Sequence, residues 1–410
     1  HRRIGEPQKR QTEQAGMILR LERCGMKFAH IGDLHIGKRV HDFSMLEDQR
    51  YILDQMIKIF EEQKVDGVLI AGDVYDKTVP SAEAVQLFDE FITGLAKAEI
   101  PVYMISGNHD SAERLSFGAK LFESSDIYIS QVYDGEMKRI VLKDQYGPIS
   151  VYLLPFLKPA AVRHALQRDD INTYEEGVMA ALQECEIDTT QRNVLVAHQF
   201  VTGKSEEPVT GGSEGVGVQS VGLVEKIGYD CFDAFDYVAL GHIHSPQKIG
   251  REEVRYSGSP LKYSLSEVAN DKSVPVITIK EKDKTSVELI PLKPMRDMRH
   301  IKGKLEQLLK TENVIETEDF IYATLTDEDM VNDVMGIFQQ IYPNTVKIDY
   351  DNSHTKQIEQ VDISKIAENR SFGELIGDFY NKIYGCEISE EEMDIMRMVA
   401  REAGVMDEAD

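Results

Sequence analysis

Lys27-Phe28-Ala29-His30-Ile31-Gly32-Asp33-Leu34-His35 joins a short apolar run to a glycine and two side chains that can bind metal. Residues 27–32 predict a β-strand. The same arrangement recurs downstream. Val68-Leu69-Ile70-Ala71 runs into Gly72-Asp73, and the strand predicted over 101–105 runs into Gly107-Asn108-His109-Asp110. A strand over 193–197 ends at His198-Gln199, and one over 235–240 ends at Gly241-His242-Ile243-His244. Between the first three strands, residues 46–63 and 81–97 carry helical spacing. Leu46, Ile52, Met56, Ile59 and Phe60 mark the first of these helices, and Pro80-Ser81 opens the second. This βαβαβ order predicts a parallel sheet with helices packed on it. Residues just past the carboxyl ends of such strands converge on one crevice.

Seven of these side chains are oxygen or nitrogen donors: Asp33, His35, Asp73, Asn108, His198, His242 and His244. Asp-x-His and His-x-His spacing would set each pair on one side of an extended segment. A glycine before a ligand lets the backbone turn and approach closely. Asp, His and Asn without Cys suit an ion such as Mn²⁺ rather than a structural zinc site. Any one motif alone reads as a core histidine or a turn residue. Five in this order, each at a strand end, read as a metal centre. Two cations about 4 Å apart can clamp a phosphodiester and activate water.

The bulk numbers bound the alternatives. At 410 residues the chain needs two or three domains. Hydrophobic content of 42% and charged content of 29% fit a globular protein. A net charge of −25 argues against an all-over nucleic-acid surface, though not against a local phosphate site. Cys24, Cys185, Cys231 and Cys386 are scattered and read as reduced thiols in a cytoplasmic protein. No apolar run is long enough to cross a bilayer. Residues 1–25, polar and basic, read as a disordered leader or extension.

Further strands are predicted over 126–130, 138–143, 149–154, 253–257, 274–280 and 285–290, and helices over 160–168 and 174–186. Residues 202–219, rich in Gly, Ser and Glu, predict a long loop. Near residue 294 the pattern changes to helix 300–310, strand 319–325, helix 328–341 and strand 345–350. A polar stretch then leads to two helices. Phe372, Leu375, Ile376, Phe379, Tyr380 and Ile383 form an apolar stripe on the first. Ser371 with Glu374, and Ser389 with Glu392, predict capping boxes, and Ile388 is placed to staple onto Met393. There is no GxxxxGK[ST] phosphate loop.

Together with Tyr256-Ser257-Gly258-Ser259-Pro260-Leu261-Lys262-Tyr263-Ser264, these motifs resemble the calcineurin-like metallophosphoesterase superfamily and, within it, the SbcD exonuclease family. The resemblance covers residues 26–410 and is densest before about residue 265. It implies an α/β fold: a metallophosphoesterase β-sandwich flanked by helices over 26–294, a small α/β capping domain over 295–355, and a linker with a helical tail over 356–410. It implies two Mn²⁺ ions, with Mg²⁺ as a substitute. Asp33, His35 and His244 would hold one, Asn108, His198 and His242 the other, and Asp73 both. His109 would face the scissile phosphate as the catalytic acid–base group. Asp76 stands where some members carry a further histidine, and takes no role. Lys38, Arg39 and Arg114 are weaker candidates for DNA phosphate contacts.

The implied activity is hydrolysis of DNA phosphodiesters, as a 3′→5′ double-strand exonuclease and an endonuclease, in end processing, repair and recombination. The implied partners are double-stranded DNA ends and hairpins, and an SbcC-type coiled-coil ATPase that alone binds ATP and docks on the tail stripe. A homodimer within a two-plus-two assembly is implied as well. The alternatives are another metallophosphoesterase, acting on phosphoprotein or cyclic nucleotide, or a scaffold that binds DNA ends without cutting.

Overall fold

A computed structural model describes residues 25–204, 207–210, 226–353, 355, 373, 376, 377, 380, 381 and 387–402. The chain divides after Met298 into two compact units.

The first unit is built on two six-stranded sheets. One runs in the order Thr285–Pro291, Ser273–Ile279, Met26–Ile31, Gly67–Ala71, Val102–Ile105, Ile127–Ile129. Its last four strands are mutually parallel, and the first two close the edge antiparallel. The other runs Gln247–Ile249, Arg251–Tyr256, Tyr237–Gly241, Arg192–His198, Gly147–Leu154, Lys138–Asp144. Its four central strands are parallel, with an antiparallel strand on each side.

Burial on both faces explains why these strands read as continuous apolar runs rather than alternating ones. Phe28, Leu69, Tyr103 and Ile105 from one sheet meet Val151, Leu153, Val196 and Ala239 from the other in a core between the sheets. The outer face of the second sheet packs Leu195, Val238 and Leu240 with Val162 and Val178 of helices Pro159–Leu166 and Tyr174–Glu184. Helices Leu46–Gln63 and Ala82–Lys97 bury Ile52, Met56, Phe60, Leu87, Phe88 and Phe91. Each such side chain contributes about 1.5–3 kcal/mol by leaving water. The Ser81 side chain accepts from the Ala84 N–H and starts the second of these helices.

The second unit holds a three-stranded sheet ordered Met298–Gly303, Phe320–Leu325, Thr345–Tyr350. Ile321, Ala323, Leu325, Phe338 and Tyr342 form its core. Two sequence expectations fail here. The helix over 300–310 is a strand followed by the single turn Leu305–Leu308. Exposure alternates along His300, Ile301 and Lys302, which fits one strand face and not a helix. The helix over 328–341 shortens to Val334–Gln339, because Asp333 just before it takes a left-handed backbone, φ 50°.

Strand Gln247–Ile249 and the short parallel pair Val201–Thr202 with Ile227–Gly228 add to the strands expected from sequence. The second pair carries the start of the expected loop. Residues 205, 206 and 211–219 of that loop lie outside the described residues. So do residues 1–24, and Ser371, Phe372, Glu374, Leu375, Phe379 and Ile383 of the tail. Ile376 and Tyr380 are helical, and the Tyr380 hydroxyl donates to Glu392 Oε1. The Ser389–Glu392 capping box forms at the start of helix Glu390–Glu402. No helix among the described residues is long and apolar enough to cross a membrane.

Candidate metal centre

Both sheets bring the carboxyl ends of their parallel strands to one rim, and all seven predicted ligands sit there. Asp33 and His35 follow Met26–Ile31, Asp73 follows Gly67–Ala71, and Asn108 follows Val102–Ile105. His198 ends Arg192–His198, while His242 and His244 follow Tyr237–Gly241. The sheets touch so closely at this rim that side chains are excluded. A Cβ on Gly241 would meet the Ala71 carbonyl at 2.0 Å, and one on Gly72, at φ +80°, would meet His198 Nδ1 at 2.6 Å.

The ligand segments are not the extended runs that the x-spacing suggested. Asp33, His35, Asp73 and His242 all have positive φ, at 52°, 44°, 49° and 105°. Non-glycine residues there are strained, and such strain collects at functional sites. Backbone hydrogen bonds hold the distortion: Asp33 N–H donates to the Gly72 carbonyl and His35 N–H to that of Asp73.

Electron-pair donors face one another across the rim. His35 Nε2 lies 3.0 Å from His244 Nε2. Asn108 Oδ1 lies 2.9 Å from His198 Nε2 and 3.0 Å from His242 Nδ1. Asp73 Oδ2 sits between the two groups, 3.3 Å from His198 Nε2 and 3.6 Å from His35 Nε2. Asp33, His35 and His244 form one cluster able to hold an ion, and Asp33, Asp73 and His198 form another. Asp33 Oδ2 and His35 Nδ1 are buried without a hydrogen-bond partner. Buried polar atoms are rarely left so; the Asp33 oxygen is free to take a cation, whereas His35 Nδ1 faces Asp76 Oδ1 at 3.7 Å.

The electrostatics agree. Burial pushes Asp33 up to about 6. Burial also lowers His35, and with His198 nearby it takes His242 down to about 3. Both imidazoles are thereby kept in the neutral form that ligates. His198 behaves oppositely: burial works against a charged ring, yet the Asp73 carboxylate holds a proton on it up to about 9. Two buried carboxylates call for positive charge. This set of oxygen and nitrogen donors fits a pair of divalent cations.

His109 stands beside the cluster, half-buried, its ring centroid 4.8 Å from that of His35. Its Nδ1 lies 3.0 Å from the Asp76 carbonyl, which can only accept, so Nδ1 is the donor and Nε2 points elsewhere. The Asp76 side chain pairs with Lys38 at 2.8 Å. Arg39 donates to the Asp42 carbonyl within its own hairpin. Arg114 is exposed on the short helix Ala112–Leu115.

Several residues brace the rim without a role read from sequence, Asp110 and Tyr263 among them although both stand inside the motifs. Asp110 accepts from the N–H groups of Gly107, Val74 and Tyr75 and so locks the third motif onto the second. Gln49 donates to the His35 and Leu34 carbonyls, and Tyr263 to that of Leu34. Glu267 and Lys272 are buried against His244. The last two lie in Leu265-Ser266-Glu267-Val268-Ala269-Asn270-Asp271-Lys272, whose composition signals a surface loop and not burial.

Comparison with known proteins gives the family. The calcineurin-like phosphoesterase family profile matches residues 26–246, and the profile described as type 5 capsule protein repressor C-terminal domain matches 294–384. The D subunit of the SbcCD nuclease of Staphylococcus epidermidis is 32% identical over 380 residues, which is 90% of this chain and 96% of that protein. Among solved structures, a dimetal phosphatase from Danio rerio is 12% identical, with a TM-score of 0.39, covering 66% of this chain and 97% of its own. The TT1561 protein of Thermus thermophilus is likewise 12% identical, with a TM-score of 0.37, covering 65% and 99%. The chain belongs to the calcineurin-like phosphoesterase family and, within it, to the SbcD nuclease family.

Proposed function

We propose that this protein hydrolyses DNA phosphodiester bonds at a two-cation site, as the nuclease component of a complex with an SbcC-type ATPase. The single observation that carries the reading is Asp73 Oδ2 within 3.6 Å of imidazoles from both ligand groups. Asp33, His35 and His244 would hold one cation, Asn108, His198 and His242 the second, and Asp73 would touch both. Bound there, Mn²⁺ ions, or Mg²⁺ in their place, would supply Lewis acidity and charge compensation at the phosphoryl group.

The chain's own residues do the rest. His109, its Nδ1–H committed to the Asp76 carbonyl, would deliver a proton from Nε2 to the departing sugar oxygen when the ring is the doubly protonated imidazolium, and is left as the neutral Nδ1–H form. Asp110 keeps the loop bearing Asn108 and His109 in register with Asp73. Lys38 and Arg39 follow the first motif in sequence and Arg114 the third, and all three would meet DNA phosphates, Lys38 by exchanging its bond to Asp76. ATP would be bound by the partner, which would dock on the tail stripe that includes Ile376 and Tyr380. The substrates would be duplex ends and hairpins, and two copies of each protein would assemble.

The test is a cleavage assay on a blocked-end duplex, with and without the ATPase and ATP, in Mn²⁺ and in Mg²⁺. A phosphoserine peptide and a cyclic nucleotide serve as rival substrates. Duplex cleavage that rises with partner and ATP supports the reading. Turnover of a rival substrate alone, or DNA binding without cleavage, contradicts it.

A further inference from the structure

Glu267 is fully buried, and its carboxylate is surrounded by donors. Oε1 lies 3.4 Å from His244 Nδ1, 3.3 Å from the Tyr263 N–H nitrogen and 3.1 Å from Ser264 Oγ. Oε2 accepts from Lys272 Nζ at 2.7 Å and lies 3.0 Å from Ser259 Oγ. Lys272 is buried too, and also donates to the main-chain carbonyl of His244 at 3.0 Å. The pair therefore grips His244 twice, at ring and at backbone. A carboxylate paired with lysine only accepts, so His244 Nδ1 must be the protonated nitrogen. That leaves the lone pair on Nε2, the atom 3.0 Å from His35 Nε2.

We propose that Glu267 is a positioning residue for the Asp33–His35–His244 half of the site: it fixes the Nδ1–H tautomer of His244 and makes that half bind its cation more tightly. In the other half, among the described residues, the Asp33 carboxylate stands farther off, 4.0 Å from His198 Nδ1. His198 Nδ1 is held at 2.8 Å by the Ala71 carbonyl, a neutral acceptor. Outer partners of this kind orient an imidazole and raise its basicity, and losing one typically costs roughly 10–100-fold in metal affinity. The inference rests on the two-cation reading above.

The test uses full-length protein stripped of metal with chelator. Calorimetric titration with Mn²⁺ measures the two binding steps, and ¹⁵N-histidine spectra of the metal-free protein report the His244 tautomer. Glu267→Gln keeps the size but removes the charge. Glu267→Gln/Lys272→Met removes both charges and serves if the single variant does not fold. The expected result is a roughly 10–100-fold loss in one Mn²⁺ step only, with the His244 ring no longer confined to Nδ1–H. Two unchanged steps with an unchanged tautomer would overturn the role of Glu267, as would an equal loss in both steps. Wild-type protein that took up no Mn²⁺ would overturn the two-cation reading itself, and so the two failures are told apart.

Discussion

The two halves of the site are held by different means. Asp33 and His35 sit beyond the end of their strand on left-handed backbone, and His244 lies three residues past its own strand. None of the three has a sheet ladder to hold it. Single main-chain bonds from Asp33 and His35 to Gly72 and Asp73 are supplemented by side chains: Gln49 on the His35 carbonyl, Glu267 and Lys272 on His244. In the other half, His198 is the last residue of a strand paired to Gly241, and its ring is fixed by a main-chain carbonyl. His242 is flanked by the rings of Phe156 and Phe200. His242, past its strand, is held by its N–H bond to Asp33 Oδ1 as well as by aromatic packing. Where the ladder fixes a ligand, as at His198, main chain is enough. Where it does not, buried charge is used, although an ion buried without its partner costs several kcal/mol.

Asp73 is the element common to both halves, so its loss should have the largest effect. Asp73→Ala is expected to bind neither Mn²⁺ ion and to lose cleavage to background, measured by calorimetry and nuclease assay. Survival of one binding step would mean that the halves are independent. Next, His109→Ala should cleave roughly 10²–10⁴-fold more slowly, the usual range for an acid–base group, while both Mn²⁺ steps persist. Loss of a metal step in that variant would move His109 from the proton-transfer role into the ligand set.

The smallest effect concerns the second half alone. The proton that Asp73 holds on metal-free His198 up to about 9 raises the folded-state pKa above the ordinary 6.5. Its stabilisation is then fully present below about 6.5 and is lost as pH rises through about 9. Melting temperatures of chelator-treated protein should fall across that window. His198→Gln should flatten the slope, and so should Mn²⁺, which takes the imidazole in its neutral form.

Much of this was legible in the sequence because each ligand sits directly after an apolar strand. Gly72-Asp73 and Gly241-His242-Ile243-His244 announce a strand end, a sharp turn and donor chemistry within a few residues. The same local logic placed helices Leu46–Gln63 and Ala82–Lys97. It failed where tertiary context decides. Residues 298–303 carry Met298, His300 and Ile301, which suit a helix as readily as a strand, and pairing with Phe320–Leu325 settles the matter. Glu267 and Lys272 look like surface charges in sequence, and only the folded position of His244 makes them interior. The strained backbone at Asp33 and His35 was only weakly signalled, because Asp and His enter positive φ more readily than other non-glycine residues yet seldom do so.

Crystals grown with Mn²⁺, with anomalous diffraction collected at the manganese edge, test the central claim most directly. Two peaks are expected: one between Asp33, His35 and His244, the other between Asn108, His198 and His242, with Asp73 reaching both. A single peak, or a pair of which either lies out of reach of Asp73, would contradict it.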